Sequence, residues 1–140
     1  MLSTWLSPDD AGRLFDGVSI DTRTLRRGEL FVAIRGERFD GAEFAAAAID
    51  AGAPGVMVPR GWTGSASLSG ERKSVAVIEV ADTTVALQSL GRAIRRESGA
   101  KVVAITGSAG KTTTKEVTSE LLSGRYRVTR NRGNFNNHIG

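Results

Sequence analysis

Short apolar runs that alternate with helical segments are the feature that most limits the folds open to this chain. The run Leu30-Phe31-Val32-Ala33-Ile34 is short and rich in β-favouring residues, which predicts a buried strand. The Ala-rich segment Phe44–Ala51 ends at Gly52, as a helix with a glycine cap does. Further strands are predicted at Val18–Ile20, Gly55–Val58, Ser74–Val80, Lys101–Ile105 and Arg127–Thr129. This alternation predicts an α/β fold with mostly parallel sheets.

Helix caps and apolar spacing predict the other helices. Asp82 precedes apolar residues that recur at helical spacing, so we expect it to cap a helix that ends near Gly99. Ser7 and Pro8 have the residue types of an N-cap and a first helical position. We therefore predict a helix over about Ser7–Phe15, and we predict another over about Lys111–Leu122. The segment Pro59–Lys73 is rich in Gly and Ser and is predicted to be a loop.

Composition limits the possible partners and location. The 140 residues contain no cysteine, which excludes disulfides and thiolate metal sites, and no apolar run approaches the roughly 18 residues of a membrane span. The start of the sequence has no secretory pattern, so a cytoplasmic location and no membrane partner are expected. Residues 92–140 carry ten Lys/Arg against three Asp/Glu, which suits a polyanion. Only Tyr126 and Phe135 could stack on bases there, so no nucleic acid is expected.

A glycine-containing loop between a predicted strand and a predicted helix indicates phosphate binding. Glycines allow successive N–H groups to point at phosphate oxygens, and a helix N-terminus adds partial positive charge. Lys111 would reach the β- and γ-phosphates as the catalytic cation, and the Thr112 hydroxyl would ligate Mg²⁺. Ile105 replaces the first glycine of the general P-loop pattern. The predicted nucleotide-binding residues are Thr106, Gly107, Ser108, Ala109, Gly110, Lys111, Thr112 and Thr113.

The order of elements predicts two domains, 1–81 and 82–140. The boundary lies near Ala81-Asp82, where a small α/β unit ends and the elements of a nucleotide site begin. The second unit has room for only about two strands, whereas a doubly wound nucleotide-binding sheet usually has five or more. We therefore expect the chain to be a piece of a longer protein, with the remainder of that chain as its partner.

Three separated motifs resemble the Mur ligase family. The loop Thr106–Thr113 resembles the T-G-x-x-G-K-T-T loop of these enzymes, including its shortened glycine spacing. Asn131–Gly140 is similar to a G-N-x-N-N-x-I-G segment of members that act on UDP-N-acetylmuramoyl-tripeptide. Ser19–Leu25, Gly28–Gly36 and Asp40-Gly41 resemble the UDP-binding domain of those members. The resemblance covers nearly the whole chain and implies a UDP-substrate-binding α/β domain followed by the start of a P-loop domain.

The resemblance also implies a reaction and its participants. ATP would phosphorylate the carboxylate of UDP-N-acetylmuramoyl-tripeptide, and the amine of D-alanyl-D-alanine would attack the acyl phosphate. The implied cofactors are ATP and Mg²⁺, with Asn134 and Asn137 at the nucleotide. The implied contacts to the UDP substrate are Ser19, Asp21, Thr22 and Arg23. The family also uses acidic Mg²⁺ ligands, a carbamylated lysine and a C-terminal domain beyond these motifs, so no ligase activity is expected from these 140 residues alone.

Other interpretations of the same residues stay open. Asp21-Thr22-Arg23 is also found in turns with a surface ion pair, and the asparagines are common loop formers. His138, the sole histidine, has no role that the resemblance supports. At the level of function, a ligase of the same superfamily with another substrate, such as a diaminopimelate- or lysine-adding enzyme or a folylpolyglutamate synthetase, is one alternative. A non-catalytic nucleotide-binding module is another.

Overall fold

A computed structural model describes residues 12–36, 39–64 and 74–131 of the chain. Two compact units are present, and they divide between Arg92 and Ala93. The domain boundary expected near Ala81-Asp82 stays a prediction. None of the helices within the described ranges has the length and apolarity needed to cross a bilayer.

The first unit is built on a four-stranded parallel sheet with the strand order β1-β2-β3-β4. Each strand thus pairs with the one that precedes it in the chain. Their short, β-branched or aromatic runs have the composition expected of buried strands, since a parallel sheet is covered on both faces. The α/β fold predicted from the sequence is therefore confirmed. The strands are β1 (Gly17–Ser19), β2 (Glu29–Val32), β3 (Gly55–Pro59) and β4 (Ala76–Val80).

Alternating side chains of the sheet form two apolar clusters, one on each face. On one face, Phe31, Val56 and Val58 pack with the small apolar residues of helix α1 (Ala45–Asp50). On the other, the alternate residues of the same strands pack with Ala86 and Leu87 of helix α2 (Thr83–Glu97). Complete burial of each large side chain contributes about 1.5–3 kcal/mol. The second cluster consists of Leu30, Val32, Met57 and Val80, with partly buried Phe15, Ile34 and Ile78.

Hydrogen bonds from side chains fix the start of α2 against the sheet. The Asp82 carboxylate accepts from the backbone N–H of Val85 at 2.9 Å, so the predicted cap is confirmed. The next residue, Thr83, is buried and donates its hydroxyl to the carbonyl of Ala33 at 2.8 Å. The beginning of α2 is thereby tied to the residue that follows β2.

Three of the predicted secondary structures are wrong in the described residues. Residues Gly12–Phe15 are not helical, and the rest of the helix expected from Ser7 lies outside the described ranges. The segments Lys101–Ile105 and Arg127–Thr129 form no strand. A strand is defined by hydrogen bonds to a neighbouring strand, and no such neighbour of these segments is present in the part of the chain described. The helix predicted after the glycine loop does form, as α3 (Lys111–Ser123).

Gly41 is a position where the fold requires the absence of a side chain. A Cβ atom there would lie 2.5 Å from the carbonyl oxygen of Ile34 and 2.7 Å from its nitrogen. Gly41→Ala should therefore lower the free energy of unfolding by about 1–3 kcal/mol, as overpacking does. Urea denaturation followed by circular dichroism measures this change.

Gly91, in the exposed part of α2, provides the matched control. A Cβ atom at Gly91 would meet nothing within 4 Å, so Gly91→Ala should raise the free energy of unfolding by about 0.5–1 kcal/mol. An unfolding midpoint for Gly41→Ala equal to or above that of the unsubstituted chain would contradict the packing described here.

Candidate functional site

The carboxyl ends of all four strands meet at one edge of the first unit's sheet, because the strands are parallel. Ser19, Val32, Pro59 and Val80 are the last residues of β1 to β4. In open α/β sheets, ligands bind at the carboxyl ends of the strands. The segments that follow the strands are thus the candidate binding segments of this unit.

The turn after β1 contains an ion pair between two of the residues predicted to bind substrate. The Arg23 guanidinium donates from Nη2 to Asp21 Oδ2 at 2.6 Å and from Nε to Asp21 Oδ1 at 2.9 Å. The Arg23 backbone N–H also donates to Asp21 Oδ1, at 3.0 Å. The Arg23 side chain is 86% exposed. The structure therefore contains the turn with a surface ion pair that was one of the two interpretations of Asp21-Thr22-Arg23.

This pair shifts the titration of both partners. The hydrogen bonds from the Arg23 guanidinium, followed by that from the Arg23 backbone N–H, lower the pKa of Asp21 to about 2. The Asp21 carboxylate in turn raises the pKa of Arg23 above its ordinary value. Both groups are thus ionised at neutral pH, and Arg23 presents a fixed cation at the carboxyl edge of the sheet.

Ser19 and Thr22, the other two predicted substrate residues, have different roles in the same turn. The buried Ser19 hydroxyl donates to the Asp21 carbonyl at 3.0 Å and accepts from the Asp21 backbone N–H at 3.3 Å. The Thr22 hydroxyl has no hydrogen-bond partner among the described residues. Ser19 therefore shapes the turn, whereas Thr22 keeps a polar group available for a ligand.

A cleft that the sequence reasoning missed lies at the same sheet edge. Its volume is about 340 Å³. One wall carries an ion pair, in which Arg35 Nε lies 3.2 Å from Asp40 Oδ2. In the sequence, Arg35 and Asp40 are marked only by the resemblance of Gly28–Gly36 and Asp40-Gly41 to a UDP-binding domain, and Pro59 and Ala81 by their places directly after predicted strands. The cleft is lined by Ala33, Arg35, Asp40, Pro59, Ala81, Asp82, Thr83 and Thr84.

The glycine loop lies in the second unit, directly before α3. Gly110 is the N-cap of that helix and has a φ of +76°, a left-handed conformation that only glycine adopts at little cost. The Lys111 ammonium turns back and donates to the Gly107 carbonyl. The backbone N–H groups of Lys111, Thr112 and Thr113 have no partner in the described residues, as expected for the first turn of a helix. The Lys111 ammonium and the three free backbone N–H groups therefore lie together at the exposed junction of the loop and α3.

Only Thr112 among the described loop residues was predicted to bind a metal. Its hydroxyl is exposed and makes no hydrogen bond within the described ranges, so its oxygen is free to act as a ligand. No group of three or more His, Cys, Asp or Glu suited to a metal occurs in those ranges. Thr112 fits Mg²⁺ as a single protein ligand, because Mg²⁺ commonly keeps waters and binds phosphate oxygens.

The chain that follows α3 returns to contact that helix. Arg130 Nη1 donates to Glu116 Oε2 at 2.5 Å, and Lys115 Nζ donates to the Asn131 carbonyl at 3.1 Å. Sequence reasoning did not identify these contacts, because the partners are separated by 14 and 16 residues. Asn134, Asn137 and His138 lie outside the described residues.

Known proteins resemble this chain over most of its length. The ligase "UDP-N-acetylmuramoyl-tripeptide--D-alanyl-D-alanine ligase" of Bacillus subtilis is 42% identical over 137 residues, which cover 98% of this chain and 29% of that protein. The protein of the same name from Escherichia coli is 40% identical over 89% of this chain and 26% of its own length. The chain thus spans between a quarter and three tenths of the curated relatives it matches.

Solved structures and a family profile agree with these relatives. The crystal structure of MurF ligase from Thermotoga maritima in complex with ADP matches with a TM-score of 0.71 and 32% identity, over 88% of this chain and 27% of that one. A MurF structure from Acinetobacter baumannii matches with a TM-score of 0.73 and 34% identity, over 89% and 26%. The profile described as "Mur ligase family, catalytic domain" matches residues 14–95. Since that match covers more than half of the sequence, the chain belongs to the Mur ligase family.

Proposed function

We propose that this chain contributes to an ATP-dependent amide ligase that adds D-alanyl-D-alanine to UDP-N-acetylmuramoyl-tripeptide in peptidoglycan precursor synthesis. The observation that carries the proposal is the loop before α3, where a left-handed Gly110, the Lys111 ammonium and three free N–H groups occur together. The names of the relatives supply the reaction, and an ADP complex among the similar structures supports the nucleotide.

In the proposed reaction, ATP would transfer its γ-phosphoryl group to the substrate carboxylate and leave ADP. The amine of D-alanyl-D-alanine would then attack the acyl carbon, lose a proton and expel inorganic phosphate, which forms the amide. Phosphoryl transfer depends chiefly on positioning and on neutralising charge. Lys111 would leave the Gly107 carbonyl and donate to phosphate oxygens, while the N–H groups at the start of α3 bind the same anion. Mg²⁺ held through the Thr112 hydroxyl would neutralise further phosphate charge.

We further propose that the carboxyl edge of the first unit's sheet binds the UDP portion of the other substrate. Arg23 offers a fixed guanidinium suited to a diphosphate, and Thr22 offers a free hydroxyl for the nucleoside or phosphate. Ser19 and Asp21 act mainly by holding that turn and the Arg23 side chain in place. The cleft that begins after β2, the strand paired with β1, adds a concave surface at the same edge.

In this proposal two domains have separate functions: residues 1–81 bind the UDP substrate and residues 82–140 bind the nucleotide. A complete active site would also use the remainder of the ligase chain found in the longer relatives. Such an enzyme would act in the cytoplasm, where ATP and UDP-linked precursors occur.

Removing the Lys111 ammonium tests the nucleotide site. Lys111→Met keeps most of the side-chain volume but loses a charge-assisted hydrogen bond, so the affinity for Mg-ADP should fall by about 10- to 100-fold. Phosphorus NMR of ADP titrated with the chain measures even weak binding. Lys101→Met is the matched control, because Lys101 is exposed and its side chain makes no hydrogen bond or ion pair among the described residues. Equal affinities of the two variants would contradict the assigned role of Lys111.

Substitutions in the turn after β1 test the UDP site. Arg23→Gln should weaken binding of UDP-N-acetylmuramoyl-tripeptide by about 10-fold or more, because a charged donor to phosphate is lost. Thr22→Val, which replaces the hydroxyl with a methyl group, should weaken it less. Isothermal titration calorimetry gives both affinities, with Arg92→Gln on α2 as a charge-matched control. A folded chain that releases no heat with this ligand would refute the UDP assignment.

The Asp21–Arg23 pair makes a prediction about pH. The Asp21 carboxyl should titrate near pH 2, and Arg23→Gln should raise its pKa toward the ordinary value of 3.8. The shift should be incomplete, since the backbone N–H of residue 23 still donates to Asp21 Oδ1. Because the pair lowers the folded-state pKa, its stabilising effect is present above about pH 4 and is lost as the pH falls toward 2. Carbon-detected NMR titration of the carboxyl group measures both values, and an Asp21 pKa unchanged by Arg23→Gln would refute the pairing.

A further inference from the structure

Two residues of α3, Lys115 and Glu116, bind the chain at Arg130 and Asn131. Lys115 Nζ donates to the Asn131 carbonyl at 3.1 Å and lies 3.1 Å from Glu116 Oε1. Glu116 Oε2 accepts from Arg130 Nη1 at 2.5 Å. The Lys115 side chain is only 22% exposed, although most of the surrounding residues are exposed. Residues 130 and 131 are therefore bound to the helix through both a cation and a carboxylate.

Helix geometry connects these contacts to the glycine loop. Lys111 and Lys115 are four residues apart in α3, so they lie on the same face of the helix, about 6 Å apart along its axis. Side chains in a helix lean toward its N-terminus, which brings the Lys115 ammonium closer to the loop. The Asn131 carbonyl is thus held on the face of α3 that also carries Lys111.

We infer that Lys115 and Glu116 are positioning residues of the nucleotide site, an inference that rests on the proposed function. They fix the Asn131 carbonyl on the Lys111 face of α3, about one helical turn beyond Lys111. Neither Lys115 nor Glu116 needs to contact the nucleotide, because both act through the chain at Arg130 and Asn131.

Stability alone is a weak reason for these contacts. Glu116 and Arg130 are both about half exposed, with 46% and 47% of their side-chain surface accessible. Ion pairs of that exposure contribute little to folding, since solvent screens them and side-chain entropy opposes them. These contacts do fix the position of the chain at Arg130 and Asn131. The side chains of Lys115, Glu116 and Arg130 and the Asn131 carbonyl restrict that position together.

Substitutions of Lys115 give the first test. Lys115→Met removes the donor but keeps the aliphatic stem, and it should weaken Mg-ADP binding by the 140-residue chain by about tenfold. Lys115→Arg keeps a cationic donor and should bind within about threefold of the unsubstituted chain. Phosphorus NMR of ADP measures the affinities, far-UV circular dichroism checks folding, and Lys101→Met again serves as the control.

A charge exchange between Glu116 and Arg130 gives the second test. Glu116→Arg places cations beside each other at Lys115, residue 116 and Arg130, and it should weaken Mg-ADP binding by about tenfold. Adding Arg130→Glu restores an opposite-charge pair and should recover affinity to within about threefold. Glu120→Arg, one turn further along α3 at an exposed position, makes the same change in charge and is the matched control, which should have no effect.

The outcomes separate this inference from the function on which it rests. Weak binding by Lys115→Met, together with recovery in Lys115→Arg and in the exchanged pair, supports the inference. Folded Lys115→Met with unchanged affinity, or an exchanged pair that stays as weak as Glu116→Arg, overturns it while the proposed function stands. An unsubstituted chain that does not bind Mg-ADP contradicts the proposed nucleotide site, and this inference with it.

Discussion

Parallel pairing of the four strands is the constraint on which the first unit depends. Because every strand runs in the same direction, each connection must return from the carboxyl edge of the sheet to its amino edge. The connection between β2 and β3 contains α1, which covers one face, and α2, which follows β4, covers the other, so the alternating residues of β2 and β3 are buried on both faces. The same constraint brings the turn at Asp21–Arg23 and the cleft after β2 to one edge. The parallel direction of the strands is therefore the common cause of the buried core and of the candidate binding edge.

The sequence was sufficient wherever the determining interactions are local. The cap at Asp82 follows from residue type and from a hydrogen bond that spans three positions. The run Leu30–Val32 has a strand-forming composition, and it forms a strand because β1 and β3 pair with it. Lys101–Ile105 has equally favourable composition, yet it forms no strand because pairing needs a second segment. Val102 and Val103 are accordingly more than 60% exposed. Composition therefore predicts a tendency to form a strand, whereas a strand itself depends on its neighbours.

The candidate site shows the same division. The four predicted substrate residues lie within five positions of sequence, and the structure brings them together in one turn with distinct roles. The cleft could not be predicted in the same way, because its lining comes from three separate segments and its ion pair joins Arg35 to Asp40, which also form an isolated antiparallel bridge. The contact between Lys115 and Asn131 could not be predicted from the sequence either, because neither residue type indicates that the other is its partner.

The two predicted anion sites differ in what a ligand must displace. Arg23 is already paired with a full negative charge, so a diphosphate must either share the guanidinium with Asp21 or compete with it. Among the residues that the structure describes, Lys111 donates only to a neutral carbonyl, that of Gly107. Transfer of the ammonium from the neutral carbonyl to a phosphate adds Coulombic attraction between opposite charges to the hydrogen bond, so the transfer is favourable. The Gly107 carbonyl that is released lies on an exposed loop and can be hydrated by water. Within the described ranges, the loop therefore keeps its cation in place without a competing anion, which suits the nucleotide site proposed for it.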